Sequence, residues 1–587
     1  MKSIISLILS LMGCGLGFLG LSTGSQTLAR NASGTGDENE PSPCLSEAVI
    51  RVTASPSTIT FGQSTVVSCS VNLPNQCSAV HAKLNGQSVA TSGSRSVSPA
   101  RSMAFTVVVS ETRLGVYGEK RGFTRVEVTY PPRVVIDRNT ADPAGVLIGV
   151  LANSPNPEQT IELCDVDLDL TGHSGLIIRD NTSLIASPAC ARGPRRFGPR
   201  IFVTDTHRGS AALFEIHGDN VRVSGFRLEG PTSRVGSGDD NKEKAILISP
   251  TASAEPIHSI EISNMEIFHW SGVGVQVNDN VDVAERGRLF NTHPSAVHIK
   301  GNFFHHNRHD DGEGYGVDIA NGAYALIEQN VFDENRHAIA GGSRNCSGKG
   351  NDYSGYTARD NLILTGGGLH CHIVCSHTHQ IDMHGDGNAW SIGCGCKGGD
   401  HWYSANCSNW ECGTAGETIL IERNTILYTK GLAIKIRGNP ADKAVVDGNV
   451  FRHPGNVFNH DTDDTIGQNG DCGRGDNISN PIDIRPNNVF GVDPTTELAN
   501  CDFVGDGQQD RFMPTGVTWW AFSTLTNQWR YLNTMSQKLS ELQLGDVDGD
   551  GVCDVALKAR QAILPGKYSK SGTSPWLVRA TQGPRLP

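Results

Sequence analysis

AVHIKGNFF (296–304), YALIEQNVF (324–332), YTARDNLIL (356–364), TILIERNTIL (418–427) and KAVVDGNVF (443–451) are versions of one pattern, a short alternating strand that ends at an asparagine. The asparagines are 28, 31, 63 and 25 residues apart, and we interpret 63 as two repeats plus an insertion. A fixed period of this size with strands but no helical periodicity is typical of a β-solenoid, whose coils bury apolar residues against their neighbours. At a coil corner, asparagine tolerates left-handed backbone and can hydrogen-bond its counterpart in the next coil. The sequence therefore predicts a ladder of Asn302, Asn330, Asn361, Asn424 and Asn449.

Similar strands precede these five, in TIELCDVDLDLTG (160–172), LFEIHGDNVRVSGFRLEG (213–230) and SIEISNMEIF (259–268). Together the strands resemble right-handed parallel β-helix repeat proteins of the pectate-lyase-like superfamily over about 300 residues. The resemblance implies an all-β fold with a right-handed parallel β-helix over residues 134–460. It leaves the reaction open, because β-helices host lyases, hydrolases, epimerases, adhesins and scaffolds.

Residues 1–30 have the layout of a signal peptide: Lys2, an apolar run over 4–21, and a small-residue exit at Thr27-Leu28-Ala29. We therefore expect a secreted protein, with a lipoprotein modified at Cys14 as the alternative. Residues 31–43 are polar and read as a linker. No later run reaches the 18 apolar residues of a membrane-spanning helix.

Residues 44–133 give short β-prone runs at the spacing of a β-sandwich. The segments ASPSTITFGQSTVVSCSV (54–71) and LNGQSVATSG (84–93) resemble bacterial immunoglobulin-like modules, which implies a spacer or a sugar-proximal support. Cys69 could be bridged to Cys77 or to Cys44.

The C-terminal part comprises a loop or linker at 461–499, a unit at 500–560 and a tail at 561–587. DVDGDGVCD (546–554) has acidic residues at positions 1, 3, 5 and 9 of a calcium loop, and DFVGDGQQD (502–510) is a second copy with Val504 in place of one carboxylate. We expect weaker binding there. The flanking segments RFMPTGVTWW (511–520) and QWRYLN (528–533) resemble FG-GAP or VCBS-type repeats. The resemblance implies a module that contacts glycan, and the alternative is a calcium-stabilised module without an activity of its own. The predicted calcium ligands are Asp546, Asp548, Asp550, Asp554, Asp502, Asp506 and Asp510.

Charge and cysteine content narrow the functions. A net charge of −12 argues against nucleic acid, which needs a basic footprint. Sixteen cysteines in an exported chain favour disulfides over metal thiolates.

One run of strands suggests a chemical face. If Val277, Ile319, Ile339, Met383 and Ile436 point inward, alternation sends their neighbours outward in two columns. The first column reads Gln276, Asp318, Ala338, Asp382 and Lys435, and the second reads Asn278, Ala320, Ala340, His384 and Arg437. Adjacent strands lie about 4.8 Å apart, so the columns form one groove with Tyr315, Arg336 and His337 at its edge.

These residue types suit uronate chemistry, in which a cation neutralises the sugar carboxylate while a base takes the neighbouring proton. We assign neutralisation to Arg437 and Lys435, proton transfer to Asp382 and His384, and a spare acid to Tyr315. YGVD (315–318) is similar to the start of the YG-x-DPH motif of mannuronan C5-epimerases, which implies roles for Tyr315 and Asp318; Ile319-Ala320 departs from it. For each residue a purely structural role stays open: Tyr315 packing, His337 satisfied in the core, Lys435 and Arg437 solvated.

A metal is a further alternative, because histidines crowd between His370 and His384. We expect a second divalent metal near Asp382 and His384 as one alternative. Zinc is conceivable with the nearby cysteines, although the spacings match no common pattern and the cysteine-rich segment 371–412 reads better as a disulfide-stapled wall beside the groove.

The sequence thus predicts an enzyme acting as a monomer on an anionic polysaccharide, by β-elimination or C5-epimerisation, with hydrolysis as a variant. The alternative is a non-catalytic surface protein that binds glycan.

Overall fold

The computed structural model describes residues 45–578, with gaps at 46, 74–79, 86, 114–115, 154–155, 188–197, 205–210, 232–242, 250–258, 279–296, 310–313, 343–352, 367–368, 371–375, 378, 386–412, 455–464, 471–477 and 559–566. The predicted signal peptide, the linker, Cys44, Cys77 and most of the cysteine-rich segment lie outside the described residues. Two compact units are present, the first ending at Glu127 and the second running from Val128, and the short stretches Thr60–Gln63 and Pro99–Ser102 also belong to the second.

The first unit is the predicted β-sandwich, built from two antiparallel sheets. Val67, Cys69 and Val71 alternate towards its interior, as expected for half-buried strands. Cys69 is a buried free thiol. One sheet has the order β1 (Val49–Ser55), β3 (Thr65–Asn72), β6 (Ser92–Val97); the other has β2 (Thr58–Thr60), β8 (Val116–Thr129), β7 (Met103–Arg113), β4 (Val80–Leu84), β5 (Gln87–Val89).

The second unit contains the predicted parallel β-helix, whose strands form three long parallel sheets. Successive coils add one strand to each sheet, which gives every buried side chain neighbours in the coils above and below. The first sheet comprises β9 (Arg133–Asp137), β10 (Gln159–Cys164), β13 (Thr182–Ala186), β16 (Arg222–Ser224), β19 (Ile260–Ser263), β22 (Val297–Lys300), β25 (Tyr324–Glu328), β28 (Gly355–Arg359), β33 (Thr418–Glu422), β36 (Lys443–Asp447) and β39 (Asp483–Ile484).

The other two sheets have nine strands each. The second sheet comprises β11 (Asp167–Asp169), β14 (Arg200–Phe202), β17 (Arg227–Glu229), β20 (Glu266–Phe268), β23 (Phe303–His305), β26 (Val331–Asp333), β29 (Leu362–Ile363), β34 (Thr425–Ile426) and β37 (Val450–Phe451). The third sheet comprises β12 (Leu176–Ile178), β15 (Ala212–Ile216), β18 (Lys244–Ile248), β21 (Val273–Asn278), β24 (Tyr315–Ala320), β27 (His337–Gly341), β32 (Ile381–Met383), β35 (Ile434–Arg437) and β38 (Ile466–Asn469).

The asparagine ladder is present and fully buried. The Nδ2 group of each asparagine donates to Oδ1 of the next, at 3.0 Å from Asn302 to Asn330, 3.1 Å from Asn330 to Asn361, 2.9 Å from Asn361 to Asn424 and 3.0 Å from Asn424 to Asn449. Asn488 extends the ladder by one step. The left-handed backbone was assigned wrongly, since positive φ belongs to the residue before each asparagine: Gly301, Gln329, Asp360, Arg423 and Gly448.

The spacing of 63 residues was also misread. β28 pairs directly with β33, and Asn361 bonds directly to Asn424, so these strands belong to neighbouring coils. The interval is therefore one coil with a long insertion. Within it, β30 (Leu369–His370) and β31 (Ser376–His377) form an antiparallel pair.

A helix follows the first strand of the solenoid. α1 (Pro143–Asn153) contacts β9, β11 and β12 and buries Val146, Leu147 and Val150. Asp142 accepts a hydrogen bond from the backbone N–H of Gly145 at 3.0 Å, as at a helix N-terminus. Such a cap covers strand edges that would otherwise be open.

The C-terminal part forms two four-stranded antiparallel sheets. A disulfide joins Cys501 to Cys553, and Met513 and Trp520 pack against Val331, Leu362 and Leu427 of the β-helix. Strands β46 and β47 come from the predicted tail, and β38 and β39 from the predicted linker. The sheets comprise β40 (Ala499–Cys501), β41 (Asp510–Pro514), β42 (Trp519–Ser523) and β43 (Gln528–Asn533), then β44 (Leu542–Gly545), β45 (Asp554–Leu557), β46 (Lys567–Ser569) and β47 (Leu577–Val578), with single 3-10 turns at Pro494–Thr496, Leu539–Glu541 and Lys570–Gly572.

Within the described ranges, no helix has the length and hydropathy needed to cross a bilayer.

Candidate active site

The third parallel sheet sets the register of the predicted catalytic residues. Gln276 lies opposite Asp318, Asp318 opposite Ala340, and Asp382 opposite Lys435. Ile339 lies opposite Ile381, which brings Ala340 beside Asp382. The predicted column placed Ala338 beside Asp318, and the true register is shifted by two residues. A shift of two keeps each side chain on its face of the sheet.

Asp382 is the centre of a buried polar cluster and has no exposed surface. Its Oδ2 atom lies 2.8 Å from His384 Nε2, 3.1 Å from His379 Nε2 and 3.9 Å from His337 Nε2. Arg437 donates from Nε to Oδ1 at 3.0 Å, and its Nη2 atom lies 2.8 Å from His379 Nε2. We call Asp382, His337, His379, His384 and Arg437 the Asp382 cluster.

Three atoms of the Asp382 cluster have no partner in hydrogen-bonding geometry, although all three are buried. They are Oδ2 of Asp382, Nε2 of His337 and Nε2 of His384. The short distances between these atoms are therefore contacts without hydrogen-bonding geometry. Buried polar groups without partners are rare and mark strain, catalysis or a missing ion or water.

The charge states in the cluster follow from burial and from Arg437. Burial would by itself raise the pKa of Asp382, but Arg437, His379 and His384 outweigh it and hold that pKa well below its usual range. Burial lowers the pKa of His337 and His384, and it lowers the pKa of His379 to about 4. Near neutral pH the cluster thus contains a carboxylate, neutral imidazoles and a guanidinium. A neutral imidazole can accept a proton or bind a metal.

Tyr315 and Arg336 adjoin the cluster through His337. The Tyr315 ring stacks on the His337 ring with centroids 5.5 Å apart, and the His337 ring stacks on His379 at 4.3 Å. Arg336 donates from Nη1 to the Tyr315 hydroxyl at 3.3 Å. Arg336 and Tyr315 are themselves 5% and 9% exposed, so this edge of the cluster is largely covered.

The structure brings most of the predicted catalytic residues together. Asp382, His384, Arg437 and His337 share the cluster, Tyr315 stacks against it, and Lys435 lies beside Asp382 in the register. Asp318 lies apart, two strands or about 9.6 Å along the sheet. There its carboxylate accepts a hydrogen bond from Gln276 at 2.7 Å.

His379 was noticed in the sequence only as one of several crowded histidines. It precedes β32, outside the alternation that identified Asp382 and His384. Its position three residues before Asp382 was the available signal, because a bend at the start of a strand can bring i and i+3 together.

The loop 546–554, here called the first C-terminal loop, brings together three of its four predicted ligands. Oxygen atoms of Asp546, Asp548 and Asp554 lie within 4.8 Å of one another. The backbone N–H groups of Gly549 and Gly551 donate to Asp546 at 2.6 and 2.9 Å, which shapes the turn. In the second copy, Asp502 and Asp510 accept equivalent backbone hydrogen bonds, from Gly505 and Phe503.

Lys570 contacts the first C-terminal loop. Its Nζ atom lies 2.8 Å from Asp548 and 2.9 Å from Asp550. Hydrogen bonds to these two carboxylates raise the pKa of Lys570. An ammonium group therefore already stands among the oxygens that a cation would use.

Comparison with known proteins gives no match to this chain among family models, curated proteins or solved structures.

Proposed function

We propose that this protein is an exported enzyme that acts on an anionic, uronate-containing polysaccharide by β-elimination or C5-epimerisation. The observation that carries the proposal is the contact of His384 Nε2 with the buried Asp382 Oδ2 at 2.8 Å, beside the guanidinium group of Arg437 and with Lys435 opposite Asp382 on the next strand. His384 is the most exposed imidazole of the Asp382 cluster, at 17% of its side chain. It is the histidine that a ligand would meet first.

The chemistry assigns a role to each group. A sugar carboxylate must be neutralised before the proton at C5 becomes acidic enough to remove, and Lys435 and Arg437 supply positive charge. His384, neutral because burial lowers its pKa, takes that proton while Asp382 stabilises the imidazolium that forms. In elimination the C4–O bond then breaks, the departing oxygen takes a proton from Tyr315, the candidate acid, and a C4–C5 double bond forms. In epimerisation a proton returns to the opposite face, and Tyr315 is the candidate donor.

A second function has its own support. Asp382 is fully buried and Arg437 is 4% exposed, which suits a structural cluster as well as a reactive one. A non-catalytic glycan-binding protein, with a β-sandwich before the solenoid and a C-terminal module after it, is therefore the alternative.

The deciding experiment compares His384→Gln with His217→Gln. His217 also lies beside the third sheet and also contacts a carboxylate, Glu215 at 3.0 Å, with a similar exposure of 20%. Purified protein would be incubated with alginate, pectate and glycosaminoglycans in calcium. Unsaturated uronate would be followed by absorbance, reducing ends by colour reaction, and exchange at C5 by NMR in heavy water.

We expect His384→Gln to lose about 10²- to 10⁴-fold in kcat/KM, the usual contribution of a general base, and His217→Gln to match the wild type. Full activity in His384→Gln would refute the assigned base. Retained glycan binding with no signal in any of the three assays would establish the non-catalytic alternative.

We also propose that the first C-terminal loop binds calcium, because its three clustered carboxylates offer the oxygen ligands that this ion takes.

A further inference from the structure

We propose that His337, His379 and Asp382 form a binding site for a first-row divalent transition-metal ion. One ring nitrogen of each histidine and a carboxylate oxygen of Asp382 lie within 4.8 Å of one another, and all three residues are buried. This site is distinct in composition from the calcium loop, which offers only oxygen.

The spacing of the three ligand atoms suits such an ion. Zinc-type ions bind nitrogen and oxygen at about 2.0–2.2 Å, so two ligands of a tetrahedral site are about 3.3–3.6 Å apart. The distances from Asp382 Oδ2 to His379 and His337 are 3.1 and 3.9 Å, one on each side of that range. Small rotations of the side chains would place all three atoms around one ion.

Hydrogen bonds outside the three ligand atoms already orient two of the ligands. His337 Nδ1 lies 2.5 Å from the backbone carbonyl of His379, and a carbonyl only accepts, so the ring proton must be on Nδ1. The lone pair of the neutral ring is then on Nε2, the buried atom without a partner. Arg437 donates from Nε to Oδ1 of Asp382, which orients the carboxylate, and its Nη2 atom lies 3.0 Å from Oδ2. Outer contacts of this kind are the usual support of metal ligands.

Arg437 also opposes the ion, because its Nη2 group occupies His379 Nε2 at 2.8 Å. Metal binding requires that both Nη2 contacts, to His379 Nε2 and to Asp382 Oδ2, break while the hydrogen bond from Nε to Oδ1 remains. The guanidinium group of Arg437 therefore competes with the ion for the site. His379, at 8% exposure, is the most exposed of the three proposed ligands.

The ligand types select the class of ion. Two imidazoles and one carboxylate suit zinc, manganese, iron or cobalt, whereas calcium prefers six to eight oxygens. Three protein ligands leave a coordination position open, as in catalytic rather than structural sites. On the proposed function, which this role alone presupposes, the open position would receive the uronate carboxylate and leave His384 to take the proton.

The test measures metal binding directly, without substrate. Untagged protein, with its free thiols alkylated, would be stripped with EDTA, returned to excess calcium and titrated with Zn²⁺ by calorimetry and with Co²⁺ by visible absorption. We expect one site that calcium does not fill and a Co²⁺ spectrum of low coordination number. Zn²⁺ should also raise the midpoint of thermal unfolding of the wild type.

Variants identify the ligands. His379→Gln and Asp382→Asn should each weaken Zn²⁺ binding at least about 100-fold, and His337→Ala should abolish it, with folding checked by circular dichroism. His298→Ala is the matched control, since His298 contacts Glu328 at 2.8 Å on another sheet, and His384→Gln should also keep the site. The proposal is overturned if the wild type does not bind Zn²⁺. It is also overturned if His379→Gln and Asp382→Asn bind Zn²⁺ as tightly as the wild type, or if His384→Gln loses Zn²⁺ binding.

The two proposals fail separately. Zn²⁺ binding without turnover on any polysaccharide would remove the proposed function and leave the metal site. Full turnover by EDTA-treated protein in calcium alone would keep the proposed function and remove any catalytic role of the transition-metal ion.

Discussion

Two buried carboxylates of the β-helix, Asp382 and Glu328, stay ionised for the same reason: each contacts an arginine and at least one histidine. Burial alone would raise the pKa of Glu328, but hydrogen bonds and charges from His298 and Arg359 outweigh it and lower that pKa to about 2. His298 Nε2 lies 2.8 Å from Oε1 and Arg359 donates to Oε2 at 2.6 Å. Glu328 therefore bridges β22, β25 and β28 of the first sheet.

We expect Glu328 to contribute to acid stability. Its folded pKa lies below the unfolded value of 4.5, so the stabilisation is complete above pH 4.5 and disappears as the pH falls towards 2. Glu328→Gln should lower the free energy of unfolding by about 1.5–3 kcal/mol at pH 7 and flatten its decline below pH 4.5. Urea unfolding at several pH values measures both effects.

Glu334→Gln is the control, because Glu334 contacts Arg308 at 2.8 Å but is 41% exposed. Exposed pairs contribute about 0–1 kcal/mol. Equal losses in the two variants would show that burial of Glu328 is irrelevant.

At the scale of elements, the asparagine ladder is the feature that repeats most faithfully. Asn361 makes four side-chain hydrogen bonds: it accepts two from Asn330 and donates to Ile327 and Asn424. Each of these hydrogen bonds joins a buried donor to a buried acceptor.

We expect Asn361→Ala to destabilise the protein by at least about 3 kcal/mol, since several buried groups lose their partners at once. Asn487→Ala should cost less than about 1 kcal/mol, because Asn487 makes one exposed bond to Asp447 at 2.9 Å. Chemical denaturation compares the two. A smaller loss in Asn361→Ala than in Asn487→Ala would mean that the ladder follows the fold and does not stabilise it.

The sequence predicted the solenoid because its repeat is carried by the ladder residues themselves. It did not predict the register between Asp318 and Ala340, because alternation has a period of two and shifts of two are equivalent. The insertion after Asn361 hid a single coil within 63 residues. Helix α1 was missed because PAGVLIGVLAN is apolar all round and lacks the polar face by which helices are recognised.

The candidate site was predictable to the extent that it lies on regular strands. Asp382, Lys435 and Arg437 follow from alternation in β32 and β35. The approach of His337 and His379 depends on bends at the strand starts, and complete burial of Asp382 depends on surrounding chain, so neither could be read from a strand pattern.

Lys570 and the calcium loop lead to a further expectation at this scale. To bind the loop as we propose, calcium has to displace the ammonium group of Lys570 from Asp548 and Asp550. Lys570→Gln should therefore bind calcium about tenfold more tightly in calorimetric titrations, while Lys567→Gln, an exposed lysine of the same strand region, should not change it. Weaker binding in Lys570→Gln would show that the lysine supports the loop and does not compete for it.

At the scale of the whole molecule, the two compact units have separate cores. The first contains Phe105 and Val107, and the second runs through the β-helix to the C-terminal sheets, which adhere through Trp520 and Met513. A shared core in the second unit implies that the solenoid and its C-terminal sheets unfold together.

We expect two transitions in scanning calorimetry. Removal of calcium with EGTA should lower the midpoint of only the second unit's transition, because that unit contains the loop 546–554 that we propose binds calcium. Phe105→Ala should lower the midpoint of only the first unit's transition, because loss of a large core side chain reduces the free energy of unfolding by about 3–5 kcal/mol. A single transition that responds to both changes would contradict the separation.

The coil that contains the long insertion shows that extra chain adds little to the free-energy cost of forming a coil. Closing a loop becomes harder only with the logarithm of its length, so 63 residues in place of 28 cost about 0.7 kcal/mol. That is less than one ladder hydrogen bond contributes. Asn361 and Asn424 thus act as a clasp: chain added between them that leaves β29 and β32 in place can change in length while the coils on either side keep their register.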